Sequence, residues 1–215
     1  MKKPEEFIVE EGDGPTPNLA PKFIEDFSAK LKLKFVQIGI GDRKKTFGPE
    51  DVLHYAYAIF YAPSYRTRYA EFLRIDFPRL PLTANQKIFR QLCGFGKDLV
   101  DLHLLRATGK LHVSYPAKGT DTVDEITYAP PHGSTPGRIQ INTEQYFENI
   151  PPEVWAFHVG GYQVCEKWLK DRRGRQLTID ERVTYPRIVA ALAETLRLQA
   201  EIDTAIAAAG GWPLT

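Results

Sequence analysis

Helical hydrophobic spacing occupies both ends of this chain and vanishes in the middle, and that switch narrows the folds open to it. Phe23, Phe27 and Leu31 recur every fourth residue in PNLAPKFIEDFSAKL. Val52, Tyr55, Ala56, Ile59 and Phe60 share one face of a second segment, and Val189, Leu192, Leu196, Ile202 and Ile206 stripe PRIVAALAETLRLQAEIDTAIAAA. Such recurrence marks helices with one buried face. From Lys110 to about Phe157 the segments LHVSY, VDEITY and RIQI have β-rich composition instead, separated by the loops PAKGTDT and APPHGSTPG. Short strands between Gly- and Pro-rich loops read as an antiparallel sheet. The expected class is α+β, with helical blocks at both ends around a small antiparallel β-sheet.

Local signals divide the chain further. Residues 1–17 are acidic (Glu5, Glu6, Glu10, Glu11, Asp13) and then broken by Gly and Pro, which predicts a flexible tail or linker. Residues 18–209 form the domain: helical over 18–108, β-rich over 110–158, helical over 159–209, with a tail at 210–215 after Gly210-Gly211. KFVQIG reads as a strand and GDRKKTFG as an exposed basic turn. Gly48-Pro49-Glu50-Asp51 opens a helix and Ala62-Pro63 ends it. Ser64 is expected to cap SYRTRYAEFLRIDF, and Thr83 the helix through NQKIFRQLCGFGKDLVDLHLL, weakened at Gly94 and Gly96. GGYQVCEKWLKDRRGR is helical, and the last helix is expected to start where Thr184 or Tyr185 precedes Pro186.

Composition excludes several classes. The 215 residues are 43% hydrophobic and 12% aromatic, too apolar for dominant disorder. No apolar run approaches the roughly 18 residues of a membrane helix, and no apolar h-region follows the first lysines. A cytoplasmic location is expected, with Cys93 and Cys165 as buried free thiols. With 28 Lys and Arg against 27 Asp and Glu, any nucleic-acid surface must be local. The five histidines show no metal-ligand spacing, and His103 in LVDLHLL reads as a core residue. IGIGD, 38–42, has the glycines of a nucleotide loop but runs into Arg43, Lys44, Lys45 and Pro49, so a plain turn is the simpler reading. H-E-x-x-H and G-x-S-x-G are absent.

The sharpest local charge is KWLKDRRGR: Lys167, Lys170, Arg172, Arg173 and Arg175 against Asp171. Guanidinium forks match phosphates and guanine edges, although a helix end also attracts cations through its dipole. Tyr162 and Gln163 follow Gly160-Gly161 and stand within reach of a base edge. Arg66, Arg68 and Arg79 make a second basic patch, partly neutralised by Glu71 and Asp76. Tyr57, Tyr61 and Tyr65 are candidates for docking a partner, with core packing as the simpler use.

PEDVLHYAYAIFYAPSYRTRYAEFLRIDFPRLPL, and later VWAFHVGGYQVCEKWLKDRRGRQLTIDE with YPRIVAALAETLRLQAEID, resemble the C-terminal specificity region of Type ISP restriction-modification enzymes. GKDLVDLHLL and RIQINTEQYFENIPPEVW fit the same pattern, so the resemblance runs from Pro17 to Ile206. A weaker likeness extends to target recognition domains of other fused adenine methyltransferases. The resemblance implies a DNA target recognition domain that reads duplex DNA and directs an adenine methyltransferase, a nuclease and a translocase elsewhere. No NPPY-type tetrapeptide and no P-loop occur here, so S-adenosylmethionine, ATP and Mg are expected in other domains and none in this chain. The methyltransferase acts in cis, if the chain is a C-terminal piece, or in trans, if it is a separate specificity protein. The alternative is a scaffold domain that docks the methyltransferase without reading bases.

Overall fold

The computed structural model describes residues 16–214, so the expected acidic tail lies outside the described residues except for Thr16 and Pro17. The first helix, α1 (Pro21–Leu31), opens on a proline, whose missing N–H has no helical partner in the first turn anyway. It buries Phe27 and Leu31 and ends at Lys32, which is left-handed with φ 54°. KFVQIG supplies only a two-residue strand: β1 (Lys34–Phe35) runs parallel to β2 (Thr46–Phe47). The helix opened by Gly48-Pro49 is α2 (Pro49–Tyr61).

The single helix expected from Ser64 onward is two short ones, α3 (Pro63–Arg68) and α4 (Ala70–Leu73), parted at Tyr69. Ser64 is not the cap. Pro63 takes the first position of α3, and the Ser64 N–H and Oγ both reach the carboxylate of Asp203, the hydroxyl at 2.5 Å. An acceptor 139 residues away thus does the work of a local cap.

Asn85, rather than Thr83, caps α5 (Gln86–His103), accepting from the Lys87 and Ile88 N–H groups at 3.0 and 3.3 Å. Thr83 Oγ1 accepts the Asn85 N–H and shapes the approach. The helix runs unbroken through Gly94 and Gly96. A Cβ at Gly96 would overlap the backbone carbonyl of His54, so this glycine permits α2 and α5 to lie against each other.

The sheet is smaller than expected. β3 (Thr127–Ala129), β4 (Arg138–Gln140) and β5 (Tyr146–Glu148) pair antiparallel in that order, with Ile139 between Tyr128 and Phe147. LHVSY contributes only a bridge from Ser114 to Glu148. The third strand, β5, comes instead from a segment the composition did not mark.

After α6 (Pro152–Trp155), a hairpin of β6 (His158–Val159) and β7 (Tyr162–Gln163) replaces the expected helical start. It turns at Gly160, where φ is 58°. Then come α7 (Val164–Lys170) and the 30-residue α8 (Ile179–Ala208). The start of α8 corrects the reading at Pro186. Thr178 Oγ1 accepts the Glu181 N–H at 3.1 Å, and the Glu181 carboxylate accepts the Thr178 N–H at 2.9 Å. This reciprocal cap begins the helix early and leaves Pro186 inside it, at the loss of one backbone hydrogen bond.

The core has two centres. One gathers Phe27, Phe47, Tyr55, Phe89 and Leu99 among α1, α2 and α5. The other gathers Ile139, Phe147, Val154, Leu169 and Tyr185 beneath the sheet. α8 is the spine of both: Tyr185, Val189 and Leu192 enter the second, and Leu198, Ile202 and Ile206 the first. The segment after Gly210-Gly211 packs back instead of trailing off. Trp212 donates to Ser64 Oγ at 2.8 Å and sits edge-on to Tyr65, and Leu214 is buried. Cys93 and Cys165 are free and buried; burial pushes the Cys165 thiol up to about 12. Among the described residues no helix is long and apolar enough to cross a membrane, and no cluster could hold a metal ion.

Candidate nucleic-acid interface

Cys165 and Leu169 bury one side of α7, which turns Lys167 and Lys170 outward. Lys167 pairs with Asp171, and Lys170 with Glu166 at 2.9 Å. Arg172 lies flat on Trp168, its guanidinium carbon 3.4 Å from the ring centroid, and donates to the Trp168 carbonyl at 2.7 Å and to Glu181 at 2.8 Å. Arg175 grips the same Glu181 with both terminal nitrogens, at 2.7 and 2.9 Å. Arg175 foremost holds the Glu181 carboxyl well below the usual carboxylate range. Arg173 is exposed and donates to the Asp124 carbonyl at 2.8 Å, with no carboxylate partner among the described residues.

Four of the five cations therefore meet three carboxylates, Glu166, Asp171 and Glu181. Two of these lie just outside the nine-residue window that made the charge look so strong. The surface pairs of the lysines are weak, since exposed ion pairs are worth only about 0–1 kcal/mol and yield readily to a phosphate. The two arginines sharing one carboxylate keep one surplus positive charge. Glu181 went unnoticed in the sequence, although Thr178-Ile-Asp-Glu181 carries the reciprocal-cap signature that would have found it.

The two expected base readers separate. Gln163 is the cap of α7: its amide oxygen accepts the Glu166 N–H and its amide nitrogen donates to the Trp155 carbonyl. Both ends are engaged inside the fold. Tyr162 is 64% exposed, beside Val159 at 50%, on the hairpin tip, with Lys167 Nζ 5.8 Å from its ring centroid.

The neighbouring loops differ in freedom. The segment 116–121 is pinned by the buried Gln145, which accepts the Asp121 N–H at 2.7 Å and donates to Asp121 Oδ1 at 2.8 Å. Arg182 pairs with the same Asp121 at 2.9 Å. The 130–138 loop projects as a tight turn closed by His132 and Thr135. With Asn149 to Glu153 it walls a cleft of about 330 Å³.

The second basic patch is loosely gathered. Arg68 and Arg79 flank Tyr69 and Phe72, Arg79 also meeting Asp76 at 3.4 Å, while Arg66 donates to the Tyr61 carbonyl. Tyr65 is buried, and Tyr57 and Tyr61 stack at 4.9 Å beside His103. His103 bridges Tyr57 Oη and Thr195 Oγ1, as a core histidine should. In IGIGD the Gly41 N–H is engaged: Asp51, fully buried, accepts from it at 2.7 Å and, beyond the motif, from Gly48 N–H at 2.9 Å and Arg43 Nε at 2.6 Å. A carboxylate already fills the place of an anion.

The family model described as the Type ISP C-terminal specificity domain matches residues 4–201. The chain belongs to that family. The specificity domain also resembles three solved structures in fold. A nuclease-deletion mutant of the Type ISP restriction-modification enzyme LlaGI, in complex with a DNA substrate mimic, is 22% identical. Its TM-score is 0.55, and the match covers 71% of this chain and 13% of that one. The DrdV–DNA complex is 18% identical with a TM-score of 0.61, covering 84% and 19%. The ATP-dependent Type ISP restriction-modification enzyme LlaBIII bound to DNA is 20% identical with a TM-score of 0.56, covering 72% and 11%. The specificity domain thus spans less than a fifth of the chains it resembles. No curated protein matches it.

Proposed function

We propose that this specificity domain reads a sequence on duplex DNA for a restriction-modification enzyme. In this reading it directs an adenine methyltransferase, nuclease and translocase located in other domains or another chain. Its own part is non-catalytic, in a prokaryotic cytoplasm, and S-adenosylmethionine, ATP and Mg serve the other parts. The observation that carries the reading is the family match over residues 4–201; of the three similar structures, two are bound to DNA and one to a DNA substrate mimic.

Within the α7 surface the roles divide by partner. Arg173, Lys167, Lys170 and the outer edge of Arg175 contact phosphates, while Arg172, stacked and bonded on Trp168, holds the turn in place. Tyr162 and the 130–138 loop offer themselves to base edges, and Gln163 keeps the hairpin rigid behind them. Phosphate contacts position such a protein and base contacts specify. The direct test is selection of bound duplexes from a randomised pool at low salt. Enrichment of one motif supports the reading; binding without enrichment contradicts it.

A docking role has one observation in its favour. Ile75 and Phe77 are 86% and 87% exposed beside the groove walled by Tyr65, Tyr69, Phe72 and Leu80. A methyltransferase face covering them would bury substantial apolar area, and loss of co-purification on Ile75→Ser with Phe77→Ser would separate this contact from DNA reading.

A further inference from the structure

A second positive surface lies where the first helix, the β1–β2 pair and the start of α5 meet. Lys32 and Lys34 follow α1, Lys44 and Lys45 sit in the turn before β2, and Lys87 and Arg90 stand on the first turns of α5. The fold brings these six together through the backbone. Lys34 N–H donates to the Lys45 carbonyl at 2.8 Å, and Gln86 Nε2 ties α5 to the Leu31 carbonyl at 2.8 Å. Arg90 donates to the Arg43 carbonyl at 3.3 Å. Lys30, at the rim, reaches the Leu82 carbonyl.

None of these cations has a carboxylate within 4.0 Å among the described residues. The contrast with α7, where four of five cations are paired, is internal to the molecule. The nearby acids are engaged otherwise. Asp42 accepts the N–H groups of Lys44, Lys45 and Thr46 at 2.7–2.9 Å, and Asp51 is buried on Arg43. Asp42 thereby fixes the turn that displays Lys44 and Lys45. An ordinary solvated face would pair its cations with acids; here Asp42 is spent on the turn's N–H groups and the ammoniums around it outnumber the acids.

We propose that this lysine surface is a second contact for the DNA sugar–phosphate backbone, sequence-independent and separate from the α7 face. The proposal rests on the reading of the chain as a DNA-binding specificity domain. Lysine ammoniums are point charges suited to phosphate rather than to the bidentate reading of bases. Contact here adds affinity and salt dependence, and leaves the choice of sequence to the hairpin and loops.

The test is binding of a fluorescent duplex to the full chain across salt concentration. The variant Lys34→Gln/Lys44→Gln/Lys45→Gln/Lys87→Gln removes four exposed, unpaired charges. The matching Lys→Arg variant restores charge, and thermal melting verifies folding of both. Each phosphate contact contributes about −0.9 to the slope of log affinity on log salt, so the Gln variant should be shallower by about 3–4 and bind at least about tenfold more weakly at 50 mM salt. The loss should be equal for selected and scrambled duplexes, and the Arg variant should bind as the unaltered chain. Unchanged affinity and slope in a chain that still binds DNA would overturn the surface while sparing the functional reading. Absence of duplex binding by the unaltered chain would remove both.

Discussion

Arginine side chains that look alike in KWLKDRRGR have different fates. Arg172 is 21% exposed, clamped between the Trp168 ring, a carbonyl and Glu181. The Arg173 side chain donates to a carbonyl and, among the described residues, pairs with no carboxylate. Arg172→Ala should therefore cost folding stability, roughly 1–2 kcal/mol from the lost stacking and bonding, with little change in the salt slope of DNA binding. Arg173→Ala should leave the urea midpoint unchanged and reduce that slope by about 1. Denaturation and salt titration on both variants check the division; a shallower slope for Arg172→Ala alone would reverse it. Sequence displayed the charges but not their partners. Glu166 and Glu181 bracket the window, and only the folded turn places Glu181 under two guanidiniums. Gln163 was legible as a polar residue after two glycines and illegible as a cap: the helix was expected to run through it from Gly160, whereas the hairpin delays the start of α7 to Val164, where the Glu166 N–H finds its amide oxygen.

Elements were legible where one periodicity ruled. α1, α2 and the body of α8 all stand where apolar spacing put them. Their ends were harder to read, since caps such as Asp203 on Ser64 come from distant sequence. Short strands were hardest, because β5 and the β6–β7 hairpin are too brief to show a pattern. The glycines of α5 make the same point quantitatively. Gly96→Ala drives a methyl into the His54 backbone and should cost about 3 kcal/mol. Gly94→Ala meets nothing within 4 Å and should add up to about 1 kcal/mol through helix propensity. Urea unfolding of the pair reads both signs. The joint of α2, α5 and α8 also carries a pH dependence. Burial holds His103 and His54 below their ordinary values, so both are neutral in the fold. The unfolded chain takes up protons at about 6.5, so stability is full above that pH and declines as pH falls below it. The urea midpoint should fall between pH 7 and pH 5, and less so in His103→Gln; an unchanged midpoint would contradict the buried, neutral assignment.

At the scale of the whole molecule, one long helix joins a helical half to a β half, and each half presents a positive surface of different character. The near-zero net charge concealed both. On the β half, an exposed Tyr162 and two exposed, ion-paired lysines stand beside a braced arginine turn. On the helical half, unpaired lysines stand on a braced turn. Such a layout suits a module that is held by phosphates at two places while a few loop residues test base edges, with the covalent chemistry performed elsewhere. The most direct measurement is the affinity of the chain for its selected duplex against the same duplex with one central base pair exchanged, at fixed salt. The account predicts a loss of about tenfold or more, since a mismatched pair in a read site costs about 1–3 kcal/mol. Equal affinity for the two duplexes, at every position exchanged, would contradict it.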